Sequence, residues 1–149
     1  LFKKNKKLHF IQDTPVETLH KKKIVLKNRL TNYTIWPKFH PTSSIVVRKN
    51  FFKEFLKLAQ INKFPNLEID ARISIYAFLR QQFKIINKSY TKYNFDPHGI
   101  TSKYKKYQKK WWIKRMEAFA YMIYLTKILK IEFKKGPDYY LTKLINSFI

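Results

Sequence analysis

Five lysines, Lys103, Lys105, Lys106, Lys109 and Lys110, run into the adjacent indoles of Trp111 and Trp112, with Lys114 and Arg115 close behind. Cations at that density neutralise phosphates. They release the counterions condensed on a polyanion and so give strong, salt-sensitive binding. A second cluster, Arg48, Lys49, Lys53 and Lys57, is interleaved with Phe51, Phe52 and Phe55. Arg72, Arg80 and Lys84 add further cations, and the arginines are suited to stacking or bidentate contacts. The rest of the chain shares this character. Its 32 Lys and Arg against 9 Asp and Glu leave a formal charge of +23 over 149 residues. Residues 1–50 carry 12 basic residues, 51–98 carry 8 and 99–149 carry 12. A lone domain gains mainly self-repulsion from such a charge, so a polyanionic partner is expected to neutralise it.

Other chemistries lack their residues. With no cysteine there are no disulfides, thiolate nucleophiles or cysteine-based zinc sites. Two glycines cannot build a Gly-rich phosphate loop, and no Gly-x-Ser-x-Gly elbow is present. His9, His20, His40 and His98 are scattered and never fall at i, i+4, so no metal site is expected. The acids are too few and too separated for a catalytic carboxylate pair. Glu68 and Asp70 open a helical stretch, where the helix dipole favours negative charge. A non-enzyme is expected, with no cofactor and no small-molecule substrate.

The elements that must position the cations follow from apolar spacing and breakers. Residues 1–47 lack sustained periodicity, and Pro15, Pro37 and Pro41 interrupt them, so they read as an extended basic arm. Its aromatics, Phe10, Tyr33, Trp36 and Phe39, could stack on bases or pack into neighbours. Residues 48–149 read as an α-helical RNA-binding domain. Phe51, Phe52, Phe55, Leu56, Leu58 and Ala59 predict a helix over 48–62, and Ile69, Ile73, Tyr76 and Phe83 a longer one over 67–89. The Asn94–Gly99 segment reads as a loop. A third helix is predicted from near Ser102 through Ala120. Helical periodicity from about Tyr124 runs up to Gly136-Pro137, and Asp138 then stands as N-cap of a short final helix. No convincing strand is visible, so the expected fold is all-α. Adjacent helical residues point about 100° apart, so one Trp is expected in the core and the other toward a partner; Trp112 is assigned to the core and Trp111 to the partner.

Three stretches together resemble the ribosomal protein family numbered twenty of the bacterial and organellar large subunit. Arg48 to Ala59 is similar to that family's basic lead into a Val/Ile-Leu-Lys-Leu-Ala run. Ala71-Arg72-Ile73-Ser74-Ile75-Tyr76, with Gln81-Gln82-Phe83 after it, resembles its Ala-Arg-Ser-x-Leu-Phe segment and later Gln-Gln-Val. Trp112-Ile113-Lys114-Arg115-Met116-Glu117-Ala118-Phe119-Ala120 resembles its Trp-Ile-x-Arg-Ile-Asn-Ala-Ala-Ala. The resemblance covers about residues 48–149 and continues to Lys134-Lys135-Gly136, near the family's Lys-Lys-Ala-Gly turn. It departs from the family in having lysines where a dense Arg run is usual, an extra loop around Pro97, Pro65 in place of a Gly-rich turn, and Glu117 in place of Asn. It implies a structural, assembly-related role, with ribosomal RNA and neighbouring ribosomal proteins as partners.

Lys, Ile, Phe, Tyr and Asn make up 76 of the 149 residues, all with AT-rich codons. That usage suggests an AT-rich genome such as a mitochondrion, an apicoplast or a protist nucleus, and the mitochondrion is the expected location. The longest uncharged apolar stretch, Ala118 to Thr126, is far short of the ~20 residues of a membrane span, and Leu1-Phe2-Lys3-Lys4, leading into charge, does not read as a secretory signal. Two other readings compete. The helix pair at 50–88 is similar to the mitochondrial Leu-Tyr-Arg helical family, respiratory accessory subunits that bind acyl carrier protein, although Phe51-Phe52-Lys53 replaces the signature tripeptide. A basic peripheral protein on a cardiolipin-rich membrane is the third.

Overall fold

The computed structural model describes residues 10–13, 42–86, 90 and 106–149. Four helices dominate them, as the apolar spacing predicts, and the fold is all-α in its main body. Helix α1, Lys49–Leu56, turns Phe51 and Phe55 inward. Helix α2, Ile69–Leu79, buries Ala71 through Ala77 and Leu79, so it is covered on nearly all sides. Helix α3, Lys109–Leu129, is the 21-residue spine, about 31 Å long at the standard rise. It packs against both α2 and the final helix α4, Pro137–Asn146.

Aromatic pairs tie these layers together. Tyr76 of α2 meets Phe51 at 5.0 Å and Phe55 at 5.9 Å between ring centroids. Phe64, in the α1–α2 connection, stands edge-on to Tyr121 of α3 at 5.3 Å. Phe119 and Tyr139 join α3 to α4 in a T-shaped pair at 5.4 Å. Each fully buried ring contributes roughly 1.5–3 kcal/mol by removal from water.

Strands are the first correction. Phe10–Asp13 forms strand β1, Ile45–Val47 forms β2 and Phe83–Ile86 forms β3, in the order β2-β1-β3. β1 runs antiparallel to β2, with Phe10 opposite Val47, and parallel to β3, with Phe10 opposite Phe83. Two pieces of the expected arm are therefore sheet, with residues 10–13 as the central strand. Residues 1–9 and 14–41 of that arm, and the Asn94–Gly99 loop, lie outside the described residues. The scarcity of glycine argues only against tight hairpins. These strands pair across long connections and need no hairpin turn.

Helix ends supply the second correction. The helix predicted over 67–89 stops at Leu79, because Gln81 adopts φ 55° in the left-handed region. The Gln82 N–H then donates to Ala77 O at 3.0 Å and the Gln81 N–H to Phe78 O at 2.9 Å, a Schellman motif. α3 ends in the same way. Lys130 sits at φ 53°, and the Ile131 N–H donates to Thr126 O at 2.9 Å. The predicted stop at Gly136-Pro137 is instead the start of α4, with Gly136 as N-cap, Pro137 in the first turn and Asp138 inside it. The helix predicted over 48–62 ends at Leu56, and Ile61–Lys63 forms a 3₁₀ turn after Gln60 at φ 46°.

Replacing Gln81 or Lys130 with glycine is expected to raise stability by about 0.5–1 kcal/mol in urea unfolding, because a left-handed position carries a Cβ penalty that glycine escapes. Burial pushes the phenols of Tyr121 and Tyr76 above their ordinary value of 10.0, and Tyr121 donates to Leu58 O at 3.2 Å. A phenol raised in the folded state contributes its full stability below the unfolded value. That contribution is lost as pH rises through the folded value. Alkaline titration of tyrosinate absorbance should show a late class, and Tyr121→Phe should remove one member of it.

Candidate nucleic-acid interface

The described cations divide into those that hold the fold and those left outside. Arg72 belongs wholly to the first group. Expected as an RNA contact, it is 2% exposed. Its guanidinium donates to Ala59 O at 2.9 Å and also to Phe64 O. The side chain fixes the α1–α2 connection from inside and cannot reach a ligand.

Arg80, Lys114 and Arg115 are largely taken up by the acids. Arg80 pairs with Glu54 of α1 at 3.5 Å and donates to the Tyr76 hydroxyl at 2.9 Å. Lys114 pairs with Glu68 at the start of α2. Arg115 bridges to Asp138 of α4, donates to Thr142 Oγ1 at 3.2 Å, and lies over the Trp111 ring at 5.0 Å. All three sit in half-exposed positions.

The outward group is mostly lysine. On α1, Phe51 and Phe55 face the core, which turns Lys49, Lys53 and Lys57 to the opposite side at a spacing of four. A spacing of four sets successive lysine backbone positions about 6 Å apart along one row. Phe52 and Leu56, 36% and 47% exposed, border that row. Arg48 stands exposed at its head as the N-cap residue. Lys84 of β3 is exposed, in register with Ile11. At the start of α3, Lys106, Lys109 and Lys110 are exposed, and the Lys109 ammonium donates to Ile149 O at 2.9 Å. Lys103 and Lys105 lie outside the described residues. The exposed sequence-predicted cations thus fall mainly into two surface groups, one on α1 and one at the head of α3, with Lys84 apart on β3.

The tryptophans divide as expected, with Trp112 buried and Trp111 half-exposed. Trp112 Nε1–H donates to Tyr107 O at 3.1 Å, and Asn146 of α4 donates to Trp112 O at 3.1 Å. Tyr107 is a site residue that charge and periodicity do not single out. It is 73% exposed, its ring lies 5.3 Å from that of Trp111, and its backbone stands at φ 67°. The signal in the sequence is an aromatic four residues ahead of Trp111 and between lysines. Among the described residues no group of three His, Cys, Asp or Glu could hold a metal ion, and no helix is long and apolar enough to cross a membrane. Comparison with protein-family models, curated proteins and solved structures finds no match to this chain.

The two classes of cation should separate on substitution. Arg72→Ala removes the guanidinium donor from Ala59 O and leaves Phe64 O with only the Leu67 N–H at 3.2 Å, and is expected to cost about 2–3 kcal/mol in urea unfolding. Lys53→Gln should stay within about 0.5 kcal/mol of the parent.

Proposed function

We propose that this chain is a structural rRNA-binding protein of an organellar, mitochondrial large ribosomal subunit. The observation that carries the reading is how the acids are used. All six whose side chains are described, Glu54, Glu68, Asp70, Glu117, Glu132 and Asp138, hold internal contacts. Five of those contacts join separate parts of the chain. Glu117 accepts from the Asn66 N–H at 2.8 Å, and Asp70 accepts from Thr42 Oγ1 at 2.7 Å. The described acids are committed to internal contacts, and the lysines of α1 and of the head of α3 face outward. A surface of that sign suits a partner with many phosphates and no single privileged site.

Helix α4 supports a protein neighbour as well. It turns Thr142 and Asn146 toward α3 and leaves Tyr140, Leu141, Leu144 and Phe148 between 51% and 83% exposed. An outward apolar stripe on a cationic protein gives a neighbouring ribosomal protein a surface to cover.

Gentle lysis of organelles at low salt, followed by a sucrose gradient, tests the assignment. The chain should sediment with the large subunit and leave it on nuclease treatment or at high salt. Migration with a respiratory complex, acyl carrier protein or membrane, indifferent to nuclease, would replace this reading with one of its competitors. In vitro, the Lys49→Gln, Lys53→Gln, Lys57→Gln triple variant should reduce the slope of log K against log salt. The expected reduction is about 0.7–0.9 for each phosphate that is no longer neutralised.

A further inference from the structure

Tyr107 combines three properties that rarely coincide. Its backbone sits at φ 67°, a conformation that glycine adopts freely and a bulky aromatic adopts only under constraint. Its side chain is not repaid by burial, since it is 73% exposed. And its position is over-determined from behind. The indole of the buried Trp112 holds the Tyr107 carbonyl at 3.1 Å, and Trp112 is itself tied to Asn146 of α4.

The ring is therefore presented on a fixed pedestal. It leans on Trp111 at 5.3 Å and Trp112 at 6.3 Å, and the two indoles meet edge-on at 4.6 Å. Arg115 lies against Trp111 at 5.0 Å and is itself paired with Asp138. Lys106, Lys109 and Lys110 surround the ring in sequence and are exposed. An open aromatic ring with exposed lysines next to it in sequence has the composition of a single-strand nucleic-acid site. The base stacks on the ring, and the lysines take the flanking phosphates.

Resting on the RNA-binding reading above, we infer that Tyr107, backed by Trp111, is a stacking platform for one unpaired RNA base, flanked by Lys106 and Lys110. A base within an A-form helix has both faces covered by its neighbours. Only a bulged, looped or terminal nucleotide can offer a face to Tyr107. The outward lysine row of α1 needs no such opening, because phosphates are accessible on paired and unpaired RNA alike. The platform thus adds a preference for irregular RNA to a surface that otherwise reads charge.

The backbone geometry makes the test clean. Tyr107→Gly removes the ring and also relieves the left-handed strain, so the variant should melt at or above the parent temperature. Binding of the full chain is measured by fluorescence anisotropy at fixed salt. The probes are a fully paired RNA hairpin and the same hairpin carrying one bulged purine. The parent should prefer the bulged hairpin and show quenched tryptophan emission on it. Tyr107→Gly should bind the bulged hairpin roughly tenfold more weakly and the paired one unchanged, and Tyr107→Phe should bind as the parent does. If Tyr107→Gly melts early, Tyr107→Leu against Tyr107→Phe decides, and equal binding by the two overturns the platform. Parent-like binding of the bulged hairpin by Tyr107→Gly also overturns it and leaves the RNA reading intact. Failure of both hairpins to bind in a salt-dependent way removes the RNA reading and the platform together.

Discussion

The guanidinium of Arg72 is the only charged group buried among the described residues, and the helical body is arranged around it. A cation out of water is costly unless its donors find acceptors. Here the acceptors are Ala59 O and Phe64 O, which lie on either side of the 3₁₀ turn between α1 and α2. Holding that connection inward sets Phe64 edge-on against Tyr121, and the Tyr121 hydroxyl returns to Leu58 O on the same connection. Two helices, their connection and the α3 spine are thereby fixed relative to one another. The local backbone accepts Gln60 at φ 46° as part of this arrangement.

A chain of such net charge has few acids with which to join its parts, and their placement is economical. Glu54 joins α1 to Arg80 beyond α2, Glu68 joins the head of α2 to α3, and Asp138 joins α4 to α3. Exposed ion pairs contribute little individually, about 0–1 kcal/mol. Their value here lies in orientation, since each has one partner at a helix end, Arg80, Glu68 or Asp138. Two of the three cations they engage, Arg80 and Arg115, are arginines, whose planar fork fixes geometry. The lysines that remain are flexible point charges, suited to following phosphates whose positions need not be fixed in advance.

The helical body was legible because Phe51, Phe55, Ile73 and Tyr76 fall at helical spacing and do pack inward. The division of the tryptophans followed from the 100° step between neighbours. The helix ends were not legible. In both long helices the left-handed residue is Gln or Lys, so the usual glycine signal is missing. The sheet was hidden for a related reason. Ile45-Val46-Val47 and Phe83-Lys84-Ile85-Ile86 are β-favouring but too short to stand apart from helical periodicity. Only their pairing with residues 10–13 across the chain makes them strands. Arg72 was misread because residue type alone cannot separate a cation that satisfies buried carbonyls from one that faces a ligand.

The shortage of glycine links these observations to the candidate site. Four described residues, Gln60, Gln81, Tyr107 and Lys130, occupy the left-handed region without being glycine. Gln81 and Lys130 close helices, and Gln60 precedes the connection clamped by Arg72, so each has a structural reason for its conformation. Tyr107 closes nothing. It precedes α3, its ring is open to solvent, and an indole hydrogen bond holds its carbonyl from behind. Strain kept at a position where the side chain has only edge contacts and little burial is better explained by what the side chain presents than by what it stabilises. The same distinction separates Arg72 from the outward lysines. In this chain, exposure combined with rigid support marks the proposed binding surface more sharply than charge does, because charge is nearly everywhere.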